Sequence, residues 1–104
     1  MGESLTDAMP VLLLIDDGPE QKRLSFFCPG CKHAHFFRVA GPQPRWWWNE
    51  NMKVPNFQPS LLHEGQLRCH LNCVNGHLQF LPDCSHELAG KTVPMVEWDS
   101  VLKK

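Results

Sequence analysis

Nine prolines are spread through a chain of 104 residues. Proline carries no amide hydrogen and clashes with the preceding helical turn, so a chain interrupted this often cannot build long helices. Strands, turns and extended loops remain. The longest aliphatic run, Val11 to Ile15, has five residues, against the roughly 20 that a membrane-spanning helix needs. Apolar residues make up 42% and charged residues 20%, the balance of an ordinary globular protein. The formal charge is −1, which leaves no basic face for nucleic acid. A length of 104 residues gives one domain, residues 1–104, with a loose arm over 1–10. A mostly β domain of this size calls for a staple, either disulfides or a metal.

The strand pattern follows the punctuation. Val11–Ile15 reads as a short strand, and Asp16-Asp17-Gly18-Pro19 as a turn. Leu24–Phe27, His35–Val39, Ser60–His63 and Thr92–Trp98 read as further strands. Ser85–Ala89 reads as one helical turn ended by Gly90, and Val101–Lys104 as a frayed tail. The clearest element is a hairpin over residues 67–81, turned at Asn75-Gly76. Its register pairs Val74 with His77, Cys73 with Leu78 and Leu71 with Phe80. Because strand side chains alternate, Cys69, Leu71, Cys73, Leu78 and Phe80 share one apolar face. His70, Asn72, His77, Gln79 and Asp83 share the other. The predicted fold is a small, mostly β single-domain sheet protein with a cysteine knuckle and a central hairpin.

Five cysteines, an odd number, cannot all pair internally. The polar start Met1-Gly2-Glu3-Ser4 shows no secretory pattern, and Gly2 with Thr6 matches a lipidation pattern only weakly. A reducing cytoplasm follows, where cysteine pairs more often hold metal than form disulfides. Cys28-Pro-Gly-Cys31 has the spacing for two thiolates on one tetrahedral zinc, with Pro-Gly allowing the tight turn. Cys69, on the core face at the open end of the hairpin, is the expected third ligand. Cys84 and His86 compete for the fourth place. Cys73 reads as a small buried hydrophobe, and His33, His63 and His77 as ordinary surface or core histidines. A closed set of this kind is a structural Zn²⁺ site that contributes to folding.

The same parity aims His70 away from the metal. A histidine held by a rigid neighbour suits a general base. Asp83 lies diagonally across the hairpin and can orient it, with His86 as the other possible orienter. Ser60, after Pro59, is the candidate nucleophile of a Ser–His pair for acyl transfer. Trp46, Trp47 and Trp48 cannot all face one core, so at least one is exposed. Trp46, Trp48 and Asn49 are therefore candidate substrate contacts; Asn49 could offer its amide to an oxyanion hole, but a turn cap is the favoured reading.

These residues carry a resemblance. Phe27-Cys-Pro-Gly-Cys31, Trp48-Asn49, Pro55, Pro59-Ser60, Cys69-His70 with Gly76, and Asp83-Cys-Ser-His86 followed by Leu88-Ala-Gly-Lys-Thr-Val93 are similar to a family of small bacterial and phage zinc-knuckle proteins. Its members are often mislabelled ammonia monooxygenase. The resemblance covers about residues 26–96, the family-like core. More distantly, the chain resembles serine peptidases encoded beside bacterial ubiquitin-like conjugation genes. These share the knuckle, the Pro-Ser step and a histidine six residues before a turn glycine, while the Asp83–Val93 segment is a phage-type feature. The resemblance implies a zinc-stabilised serine peptidase that cleaves the C-terminal tail or the conjugates of a ubiquitin-like protein in a bacterial or phage-infected cytoplasm. The alternative is a non-enzymatic zinc module, such as a phage protein that binds a host factor. A third reading is a zinc hydrolase using His35, His70 and His86. No nucleic acid and no membrane partner are expected.

Overall fold

A computed structural model describes residues 9–102 of the chain. Two antiparallel sheets make up the fold, so the predicted mostly β class holds. The first contains β1 (Leu13–Asp16), β2 (Lys22–Cys28) and β3 (His33–Ala40), in the order β1-β2-β3. The second contains β4 (Trp47–Trp48), β5 (Phe57–Glu64), β6 (Arg68–Val74), β7 (His77–Phe80) and β8 (Thr92–Pro94), in that order. A short helix, α1 (Trp98–Leu102), follows. No helix among the described residues is long and apolar enough to cross a membrane.

The sheets meet through aromatic side chains. Phe26 and Phe37 of the first sheet and Phe57 of the second are all buried, and the Phe37 and Phe57 rings stack with centroids 4.1 Å apart. Leu24, Leu61, Leu71 and Leu78 fill the space around them. Along β6 the burial alternates as strand parity requires: Cys69, Leu71 and Cys73 are buried, while Arg68, His70 and Asn72 are not. The hairpin register is Leu71↔Phe80, Cys73↔Leu78 and Val74↔His77. Asn75 and Gly76 both take positive φ, 51° and 73°, as a type I′ turn demands.

One irregularity bears on function. Phe57 pairs with Cys73 and Leu61 with Leu71, so four steps along β5 span only two along β6. The extra residues bulge at Gln58–Ser60, and a bulge of this kind re-aims the side chains it carries.

Several local expectations are corrected. Trp47–Trp48 forms a strand against Gln58 and Phe57, a pairing that no two-residue pattern announces. Residues 85–89 make turns rather than a helical turn, with Ala89 N bonded to His86 O at 3.2 Å. The last strand stops at Pro94, because proline has no amide to continue the ladder. α1 begins at Trp98, the last residue of that expected strand, and takes in residues 101 and 102 of the expected frayed tail. The buried Trp98 anchors it by donating its indole N–H to Ser25 O on β2 at 3.0 Å. Most of the expected arm over 1–10, together with Gly2 and Thr6, lies outside the described residues. At its end, Pro10 O accepts a hydrogen bond from Trp98 N at 3.1 Å.

Candidate active site and metal centre

Four metal-ligating side chains converge behind β6. The ligand atoms of Cys28, Cys31, Cys69 and His86 all lie within 4.8 Å of one another, and the group is buried. Cys28 ends β2, and the Pro29-Gly30 turn brings Cys31 back beside it. The Cys31 amide points at the Cys28 sulfur at 3.4 Å, and Lys32 N closes the turn on Cys28 O at 2.7 Å. Cys69 Sγ stands 3.8 Å from Cys28 Sγ and 3.4 Å from His86 Nε2. The His86 ring lies directly over Gly30, where a Cβ would sit 2.4 Å from the ring, so only glycine fits there. Phe80 packs edge-on against the other side of that ring at 4.7 Å between centroids.

The donor set suits a soft divalent cation such as zinc. Three buried thiols in one spot cannot all ionise unaided. Sharing a hydrogen bond with Cys69 lowers Cys28 to about 3. Burial, together with the charge on Cys28, raises Cys31 to about 11. Cys69 is pushed far up, first by its hydrogen bond to Cys28 and then by burial. A bound dication removes this conflict by stabilising every thiolate at once. These groups are compatible with a metal site, and His86 rather than Cys84 is the fourth side chain of the cluster. Cys84 is used elsewhere. Its thiol accepts from His70 N at 3.3 Å and donates to His70 O at 3.2 Å, clasping the strand from the side.

On the opposite face, Ser60, His70 and Asp83 form a line. Ser60 Oγ is 3.1 Å from His70 Nε2, and His70 Nδ1 is 3.2 Å from Asp83 Oδ2. A carboxylate can only accept, so Nδ1 carries the proton and Nε2 is left to accept from the serine hydroxyl. Leu62 is the direct partner of His70, which makes Ser60 its diagonal neighbour on the same face. The bulge carries Ser60 into place.

Asp83 is held in turn by Arg68, whose Nε donates to the same Oδ2 at 3.1 Å; Arg68 also pairs with Glu64. Desolvation works against the Asp83 charge, but hydrogen bonds from Arg68 and then His70 outweigh it and keep the carboxyl below its usual range. Sequence reading passed over Arg68. Its signal was parity, since Arg68 and His70 share a face of β6. The Ser85 hydroxyl accepts from Arg68 N at 3.1 Å, and Ser85 N donates to Arg68 O at 2.8 Å. These bonds tie the 81–86 turn to the strand. That turn carries Asp83 to the front and His86 to the back.

The remaining sequence candidates separate clearly. Trp47 is 57% exposed, while Trp46 and Trp48 are partly buried against the core. All three line a cavity of about 710 Å³ with Leu14, Val39 and Met52. Trp46 reaches the active line through its indole N–H, which donates to Ser60 O at 3.4 Å. Asn49 is engaged in its own loop. Its Oδ1 accepts from Asn51 N and Asn56 N, and its Nδ2 donates to Val54 O, the bonding of a turn cap. Cys73 is buried as expected, and burial raises its thiol to about 12. His33, His35 and His63 pack against one another, edge-on or tilted. His35 is 2% exposed, and neither of its ring nitrogens finds a partner among the described residues. A metal held by His35, His70 and His86 together does not fit, because His70 points to the face opposite Cys69 and His86.

Residues 3–81 match the family model described as bacterial ubiquitination-like system serine protease (BubE). The chain belongs to the BubE family. The match includes Ser60, His70 and the three clustered cysteines, and it ends before Asp83 and His86. No curated protein and no solved structure matches the chain. The family description names a serine protease. It also names a ubiquitination-like system, which suggests a protein substrate.

Proposed function

We propose that this BubE-family chain is a serine peptidase in which Ser60 is the nucleophile, His70 the general base and Asp83 the orienting acid. The carrying observation is the continuous hydrogen-bonded line from Ser60 Oγ through His70 to Asp83. In the reaction, His70 Nε2 takes the hydroxyl proton as Ser60 Oγ bonds to the scissile carbonyl carbon. The proton then passes to the leaving nitrogen as the C–N bond breaks. Water, activated by the same imidazole, hydrolyses the acyl-enzyme and restores the serine. Asp83 stabilises the imidazolium that forms between the two steps.

The substrate in this reading is the C-terminal tail of a ubiquitin-like protein, or the bond joining such a tail to its target. The system named in the family description supports it. Zinc on Cys28, Cys31, Cys69 and His86 would act structurally. It would fix Cys69, and through the strand His70, without entering the reaction. Four protein ligands leave no open position for water.

A fluorophosphonate probe tests the nucleophile. Peptide mass spectrometry of the treated protein should place the adduct on Ser60. Ser60→Ala should abolish it, and His70→Ala should slow it by at least 10²-fold. An unlabelled Ser60 in folded, metal-loaded protein would overturn the assignment.

A further inference from the structure

Two strand edges face each other across a groove lined by Trp46, whose indole N–H donates to Ser60 O. The groove has a volume of about 280 Å³ and runs between β3, at Phe36 and Arg38, and β5, at Leu61, Leu62 and His63, with Trp46 along it. The direction of the main-chain groups can be deduced. His70 N donates to Cys84 Sγ, and His70 O accepts from Leu81 N at 2.9 Å. Both His70 backbone groups therefore face away from β5. Leu62, paired with His70, is then a non-hydrogen-bonded position, and its own N–H and C=O turn outward from β6. β4 covers that side of β5 only at Phe57 and Gln58. The Leu62 backbone thus meets the groove with no hydrogen-bond partner among the described residues.

The opposite wall behaves alike. Trp46 N donates to Arg38 O at 2.8 Å, so the Arg38 backbone faces away from β2, and alternation turns Phe36 the same way. Phe36 and Leu62 are 47% and 45% exposed, offering apolar side chains beside their free backbone groups. Trp46 bridges the far end, bonded to Arg38 O on one wall and Ser60 O on the other.

We propose that this groove is the substrate cleft. An extended segment of the protein substrate enters as an added strand between β3 and β5. It bonds through its main chain to Leu62 and Phe36 and presents its scissile carbonyl to Ser60 at the Trp46 end. Main-chain bonds supply affinity that depends little on sequence, and the flanking apolar side chains supply selectivity. Such a strand would also cover two edges that otherwise stand open. The proposal rests on reading Ser60 as the nucleophile, and its test separates the two.

The probes are a mixture of tetrapeptide aldehydes and the same mixture N-methylated along the backbone, used to compete with fluorophosphonate labelling of Ser60. The plain mixture should slow labelling at least tenfold more than the methylated one. Leu62→Pro removes only an outward amide, so the sheet should survive. It should lose that protection at least tenfold, several times more than Leu62→Ala, which keeps the amide and gives up only the apolar side chain. Equal protection by both mixtures, or undiminished protection in Leu62→Pro, overturns the cleft. Hydrogen exchange at the Leu62 amide of Ser60→Ala, with the mixture present, reads the edge without any labelling. Slowed exchange supports the cleft and unchanged exchange overturns it, whatever the outcome for the nucleophile.

Discussion

Cys69 and His70 are neighbours that face opposite ways, and this pair sets up the site. Period-two alternation sends the thiol into the Cys28–Cys31–His86 cluster and the imidazole toward Ser60. The same alternation puts Arg68 on the His70 side, where it holds Asp83. Arg68→Ala should leave the Ser60–His70 contact but loosen the acid that orients it. Peptidase kcat should fall about tenfold while Ser60→Ala removes activity entirely, by about 10⁴-fold or more. Asp83→Asn should cost about 10²- to 10⁴-fold, because an amide no longer enforces the Nδ1–H tautomer.

Asp83 also predicts a direction with pH. Its folded carboxyl titrates below the ordinary value of 3.8. Its contribution to stability is therefore fully present above pH 3.8 and is lost as pH falls through the lower folded value. Urea midpoints of wild type and Asp83→Asn should differ at pH 7 and converge only below pH 3.8. Asp83 is exposed, so the gap should be small. Convergence already at pH 5 would contradict the pairing.

At the scale of elements, the hairpin was readable because two local rules agree there. Asn75-Gly76 fixes the turn, and alternating polarity fixes the faces. The knuckle was readable from its spacing alone. The choice of His86 over Cys84 was not. It depends on the path of the irregular 81–86 turn and on a ring packing over Gly30, a contact between segments more than fifty residues apart. Nor does any local pattern announce the bulge at Gln58–Ser60, since it is a mismatch between two strands rather than a property of either. The ring packing and the hairpin turn give tests. Gly30→Ala would push a methyl into the His86 ring, so metal affinity, read by competition with a chromophoric chelator, should drop at least tenfold. Gly76→Ala should cost about 1 kcal/mol in chemical denaturation, since φ is 73° and a Cβ would stand 3.3 Å from Val54 Cα.

Across the whole molecule, the cluster ties the end of β2, the start of β6 and the 81–86 turn to one point. The two sheets otherwise meet mainly through Phe26, Phe37, Phe57 and their aliphatic neighbours. The whole net stability of a domain is about 5–15 kcal/mol, comparable to what a structural zinc contributes on its own. Stripping the metal with a chelator, or replacing Cys28 with Ser, should therefore abolish the cooperative thermal transition rather than lower it by a few degrees. The whole arrangement depends on the separation of the two faces of β6. The most direct measurement is a crystal structure of the fluorophosphonate-treated, metal-loaded protein with data collected at the zinc absorption edge. It should show one anomalous peak enclosed by Cys28, Cys31, Cys69 and His86, and phosphonyl density on Ser60 Oγ beside His70. A peak ligated by His70, or a fully metal-loaded molecule with Ser60 unmodified, would contradict it.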